Sequence, residues 1–369
     1  MIYTSTRHES SPVSLTEALA IGRASDGGMF LPESVPFIPN AFFNNISEMA
    51  PGDIAYVVSE PYFRGKIDAA TLKRSIAETF NYPIPLNAIS PDIFRFELYN
   101  GPTGSFNDTA SLFIKVFLDL QRRQTKDKIH FIMSTAGDSG ASMATALRGR
   151  KDVDLTVVYP LRRISLTQRR RILECAQSSN ILAVGVDSPI DNCRYIVNRA
   201  LNDESLAQEI RMTSANYDNI AKILPQMPLF FVAYSHLRKV DRKRKMVVGL
   251  PAGNLGLLVS GIIAKQMGLP ISRFVVANNA NDVLARYLHD GEYKPRPTIE
   301  TIAPAIDVSD PDNFERVQAL YKGNIDDMRR DMHCYTFSDS EIRKIVDAMP
   351  QSTDAVVAAT IEATQRDID

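Results

Sequence analysis

Two places in this chain join a short apolar strand to a glycine-bearing turn and then to an apolar helix. No other feature narrows the fold as much. The first runs from residues 129–133 through Ser134-Thr135-Ala136-Gly137-Asp138-Ser139-Gly140 into 141–147. The second runs from 246–250 through Pro251-Ala252-Gly253-Asn254-Leu255-Gly256 into a helix passing Ile262 and Ile263, stopped by Gly268-Leu269-Pro270. Residues 153–159, 181–186 and 273–277 read as further strands, with helices near 168–176 and 193–201. Strands alternating with helices predict βαβ units and parallel sheets. The expectation is therefore an α/β protein of two lobes, each with one glycine turn. Before them, Ile67, Leu72, Ile76 and Phe80 carry helical spacing that ends at Asn81-Tyr82-Pro83. Few strand-like runs precede residue 90, so a helical N-terminal region is expected over 1–93, a smaller α/β lobe over 94–225 and a second over 226–369.

A glycine turn between strand and helix presents backbone N–H groups at the positive end of the helix, which suits phosphate or carboxylate. Each turn alone is equally ordinary turn chemistry. Two of them at strand carboxyl ends in facing lobes point to a ligand cleft. Other chemistries have little support. The five histidines (His8, His130, His236, His289, His333) have no ligand spacing, so no metal is implied, and no nucleophile elbow or P-loop occurs. The face of Leu112, Phe113, Val116, Phe117 and Leu120 reads as core.

Lys plus Arg number 42 against 43 Asp plus Glu, for a net charge of -1. That balance gives no electrostatic reason to expect nucleic acid or a membrane as partner. The basic runs at 169–171 and 239–245 read as solvated surface. Three scattered cysteines fit a reducing compartment, and no apolar run reaches spanning length, so a soluble cytoplasmic protein is expected.

Several segments, in order, resemble the threonine synthase family. They are Ser5-Thr6-Arg7, Val13-Ser14-Leu15, and Asp26-Gly27-Gly28-Met29-Phe30-Leu31-Pro32-Glu33. Next come Leu98-Tyr99-Asn100-Gly101-Pro102-Thr103 with Ser105-Phe106-Asn107-Asp108, then the 135–140 loop, Ser214-Ala215-Asn216 and 251–256. Asn281-Asp282, Arg286-Tyr287-Leu288-His289-Asp290-Gly291 and Ala305-Ile306-Asp307-Val308-Ser309 complete the set. The resemblance implies a fold-type II pyridoxal-phosphate architecture, similar to the tryptophan synthase β subunit. In the family a Phe-Lys-Asp lysine forms a Schiff base with the cofactor, and a glycine loop holds its phosphate. Carried over, Gly253, Asn254, Leu255 and Gly256 become the cofactor loop. Thr135, Gly137, Asp138, Ser139 and Gly140, with Ser214, Asn216 and Lys222, would face the carboxylate and phosphate of the substrate.

This chain departs from the family pattern at several points. Asn107 stands where the lysine is expected, and an amide can neither form the Schiff base nor move substrate protons. Lys115, eight residues on, lies ~12 Å further along a helix and cannot replace it. Lys222 stands where the family has arginine and lacks the bidentate fork. Ala136 replaces a serine, and no counterpart is found for a C-terminal segment after Ser352-Thr353-Asp354 that would lie near the pyridine nitrogen.

Three readings follow from the resemblance. The first is a degenerate or repurposed relative that binds a phosphorylated amino acid, pyridoxal phosphate or its adduct without ordinary threonine synthase turnover. The second is a lyase or transferase with altered chemistry on an amino-acid substrate. The third is a threonine synthase, converting phosphohomoserine to threonine, whose lysine was engineered to Asn107. Engineering accounts for position 107 but not for Ala136, Lys222 or the C-terminal difference. The first two readings are favoured.

Overall fold

The computed structural model describes residues 1–122, 128–240 and 245–348. The segments 241–244 of the second basic run and 352–354 therefore lie outside the described residues.

The chain opens with β1 (Ile2–Ser5), β2 (Val13–Ser14) and β3 (Phe30–Pro32), an antiparallel sheet in the order β2-β1-β3. The helix Leu15–Ile21 follows β2 directly. Ser14 accepts from the Glu17 amide while the Glu17 carboxylate accepts from the Ser14 amide, a reciprocal cap that sets where the helix begins. Two longer helices, Pro51–Phe63 and Ala69–Thr79, bear out the helical expectation. The second starts at Asp68, whose carboxylate accepts from the Thr71 amide, and it buries Leu72 and Ile76 as the spacing predicted. The small antiparallel sheet was not foreseen, because strands of two to four residues carry too few alternations to register. A hairpin of β4 (Leu86–Ala88) and β5 (Phe94–Phe96) completes this region.

Two parallel sheets form the lobes. The first, in the order β8-β7-β6-β9, contains β6 (Ile129–Ser134), β7 (Val153–Pro160), β8 (Ile181–Val186) and β9 (Met212–Ser214). The second is β10 (Met246–Pro251), β11 (Ile271–Asn278) and β12 (Met332–Thr336), with β11 central. Five of these strands match the sequence reading closely. β9 and β12 are the additions, each short and polar enough to lack a strand signature.

The helix Asn107–Arg122 packs beside the helices Asp138–Leu147 and Ala69–Thr79. Its Phe113 and Phe117 cluster with Phe63, ring centroids 5.4–5.9 Å apart, while Val116 and Leu120 are also buried. Leu112 is only half-buried. No helix among the described residues is long and apolar enough to cross a membrane.

Candidate functional site

A cleft of about 420 Å³ opens where the turns after β6 and β10 converge. Its wall includes Asn107, Ser134 to Ser139, Asn216, Tyr217, Pro251, Asn254 and residues 303–308. The two glycine turns thus share one cleft, as their position at strand carboxyl ends implied.

Asn107 is delivered by a tightly pinned turn. Asp108 accepts from the Thr103 amide at 2.8 Å, the Thr103 hydroxyl at 2.6 Å and the Ser142 hydroxyl at 2.7 Å. Gly101 is required there because a Cβ would lie 2.5 Å from the Asp108 carboxylate. Arg171 reaches over to donate to the Thr103 carbonyl. One member of the basic run at 169–171 is therefore a half-buried strut rather than solvated surface.

The Asn107 side chain is 3% exposed and fully engaged. Its amide nitrogen donates to the Ser105 hydroxyl at 2.9 Å, and its oxygen accepts from the Tyr217 hydroxyl at 2.6 Å. Gln226 donates to the same hydroxyl at 2.8 Å. The chain Gln226 to Tyr217 to Asn107 thus runs in one direction, each bond polarising the next. Burial holds the Tyr217 phenol well above its ordinary range, so it stays a neutral donor. Its backbone carbonyl accepts from Arg316 at 2.7 Å and from Asn313 at 3.2 Å.

On the first turn, the Thr135 hydroxyl accepts from the amides of Gly137 and Gly140 at 2.9 and 3.0 Å. It also pairs with the Ser139 hydroxyl at 3.1 Å. A Cβ on Gly140 would sit 2.4 Å from the Thr135 methyl, so the helix can approach its strand only with glycine there. The Asn216 amide pairs with Ser134. Arg194 is the one basic side chain among the described residues lining the cleft, and Asp312 holds it at 2.7 Å. Asp307 accepts from Thr301, Asn279 and Asn281, yet burial still raises its carboxyl above the usual range.

Residues 2–80 match the family described as threonine synthase N terminus, and residues 84–360 match that described as pyridoxal-phosphate dependent enzyme. A threonine synthase from Haemophilus influenzae is 35% identical over 343 residues, which span 93% of this chain and 79% of that protein. The chain belongs to the pyridoxal-phosphate-dependent threonine synthase family. The solved threonine synthase of Escherichia coli superposes with a TM-score of 0.88 at 26% identity, covering 100% of this chain and 86% of that one. A PLP-bound threonine synthase from Brucella melitensis superposes at 0.85 with 26% identity, covering 99% and 85%. The two-lobed fold-type II architecture expected from the sequence is thereby established.

The fit of this site to the family's cofactor can be tested on its own atoms. No lysine occurs among the described residues lining the cleft, so nothing there can hold pyridoxal phosphate covalently. In the second turn, Gly253 and Leu255 both take left-handed backbone, with φ of +48° and +61°. The Gly256 amide, which opens the helix Gly256–Gln266, already donates to the Asn254 side chain at 2.8 Å. The Tyr217 ring lies against Gly256, where a Cβ would stand 2.3 Å from ring carbon Cδ1. The residues present do not fit the cofactor as a lysine adduct seated on this loop.

Of the residues singled out from the sequence, Asn107, Thr135, Gly137, Asp138, Ser139, Asn216 and Asn254 line the cleft. Gly140 and Gly256 sit behind it as packing glycines, and Gly253 packs against Ile306. Leu255 is buried core, while Ser214 spends its hydroxyl on the Asp218 carboxylate at 2.5 Å. Lys222 is 1% exposed and donates to Ser111 and to the Met143 sulfur, outside the cleft wall. Tyr217 and Gln226, the two residues that engage Asn107, were missed. Tyr217 follows the quoted Ser214-Ala215-Asn216 segment directly and was the available signal. The five histidines are all absent from the cleft wall.

Proposed function

We propose that this protein binds a small phosphorylated amino acid, or an analogue of one, in a threonine-synthase-type cleft without ordinary threonine synthase turnover. The side chain at position 107 carries the reading. It is an amide whose nitrogen lone pair is delocalised, and both of its ends are spent on Ser105 and Tyr217. It cannot act as an amine nucleophile or as a base that shuttles substrate protons. Among the described residues lining the cleft none supplies an amine in its place, because the basic one, Arg194, stays protonated and paired to Asp312.

Binding asks less of the site than turnover does. The start of the helix Asp138–Leu147 and the hydroxyls of Thr135 and Ser139 suit a carboxylate or phosphate. Asp138 and Asp307 both line the cleft and suit the ammonium of an amino acid. The relatives' name, threonine synthase, supplies the substrate to try first, phosphohomoserine.

The test incubates purified protein with phosphohomoserine and pyridoxal phosphate and follows phosphate and threonine release. General acid–base assistance alone is worth roughly 10²–10⁴-fold, so release at the uncatalysed rate is expected. Calorimetric titration with phosphohomoserine should still report binding. Turnover at ordinary enzymatic rates would refute the reading.

A further inference from the structure

The cleft contains one large side chain that joins position 107 to the second glycine turn. The Tyr217 hydroxyl bonds the Asn107 oxygen at 2.6 Å, and the edge of the same ring lies against Gly256. A Cβ at Gly256 would fall 2.3 Å from Cδ1 and 2.9 Å from Cε1 of that ring, well inside van der Waals contact. The phenol therefore fills the space between the two positions that a lysine-bound cofactor would have to bridge.

The ring is also fixed. Arg316 and Asn313 clamp its carbonyl, while Gln226 holds its hydroxyl at 2.8 Å. Gln226 is fully buried, so swinging the ring out would strand a buried amide donor. We propose that Tyr217 is a built-in plug of the cofactor seat, so that a lysine restored at position 107 captures the cofactor at least tenfold more weakly than it does once the ring is removed as well. This rests on the reading that Asn107 stands in the lysine position, and it goes further by naming a second residue that must change with it.

The experiment uses the full chain in four forms: unmodified, Asn107→Lys, Asn107→Lys with Tyr217→Phe, and Asn107→Lys with Tyr217→Ser. Each is titrated with pyridoxal phosphate, followed by visible absorbance, borohydride reduction and mass mapping of the modified residue. The Ser double variant should form a reducible adduct at residue 107 with an apparent Kd at least tenfold tighter than Asn107→Lys alone. The Phe double variant keeps the ring and should behave like the single variant. Equal affinity of the single and Ser double variants would overturn the plug. So would absence of an adduct in a Ser double variant that melts cooperatively. If that variant fails to fold, Tyr217→Ala in the Asn107 background replaces it. That variant must then bind pyridoxal phosphate noncovalently at least tenfold tighter than the unmodified chain, and equal binding overturns the proposal. A reducible adduct in the unmodified chain is a separate outcome, and it would overturn the functional reading above.

Discussion

Lys222 offers a quantitative test of how this interior handles charge. The residue is 1% exposed, and its ammonium donates to the Ser111 hydroxyl at 3.2 Å and the Met143 sulfur at 3.9 Å. Burial lowers its pKa from 10.5 to about 8, against a weaker opposing pull from Asp108. Below pH 8 both folded and unfolded chains carry the proton, and the folded state bears the whole desolvation cost. Between pH 8 and 10.5 the folded chain releases the proton while the unfolded chain keeps it. The unfolded state then binds more protons, so this group makes stability rise with pH through that window. At about 1.4 kcal/mol per pH unit, the rise reaches about 3 kcal/mol. Lys222→Met keeps the side-chain length and removes the charge. It should recover most of that amount at pH 7, less about 1 kcal/mol for the Ser111 bond, for a net gain of about 2 kcal/mol. Urea unfolding of both proteins at pH 7, 8, 9 and 10 measures it. Buried tyrosines and cysteines titrate in both proteins, so the difference between the two isolates Lys222. That difference should shrink steadily from pH 8 to 10. A pH-independent difference, or a variant less stable than the parent at pH 7, would refute the reasoning.

Three further outcomes are expected. Tyr217→Phe should cost about 1–3 kcal/mol in a urea melt, because the Gln226 amide N–H loses the hydroxyl that accepts from it inside the core while Asn107 can turn to water in the cleft. Asp108→Ala should cost about 3–5 kcal/mol, since it strands the Thr103 amide, the Thr103 hydroxyl and the Ser142 hydroxyl, and a cost below 1 kcal/mol would remove Asp108 as the pin of the turn. Gly140→Ala should lower the melting temperature by several degrees and weaken any calorimetric binding of phosphohomoserine, because its methyl meets the Thr135 methyl at 2.4 Å.

The lobes were legible because most of their strands are largely apolar runs, and two of them, β6 and β10, end in glycine turns. β6, β7, β8, β10 and β11 announce themselves as such runs. β9 and β12 have no such signature, since pairing with an existing sheet edge rather than their own residues makes them strands. The cleft was legible to the same depth. Glycine turns and Asn107 could be placed by pattern, but the partners of a side chain could not. Lys222 illustrates the limit. The family resemblance implied a substrate contact for it, whereas its helical turn carries it into the packing between Ser111 and Met143. Tyr217 illustrates the converse, an aromatic residue indistinguishable in sequence from core until its hydroxyl is seen on Asn107.

Lys222 and Asn107 together show how differently this interior treats an amine and an amide. A lysine held in a dry interior lowers its own pKa and charges the fold for its desolvation, as Lys222 does. An amide in the same kind of environment carries no net charge, and at position 107 its donor and acceptor ends both have partners at 2.6–2.9 Å. On the functional reading proposed above, an amide in place of an amine at 107 removes a folding cost and gives the Tyr217 hydroxyl an acceptor suited to it. The supports of the turn are independent of this exchange. Asp108 grips Thr103 and Ser142, and Arg316 grips the carbonyls of Phe30, Tyr217 and Asp218, whichever residue occupies 107. Scaffold and chemistry are thus separable here. The scaffold of the turn rests on buried hydrogen bonds of Asp108 and Arg316 in which the side chain of residue 107 takes no part.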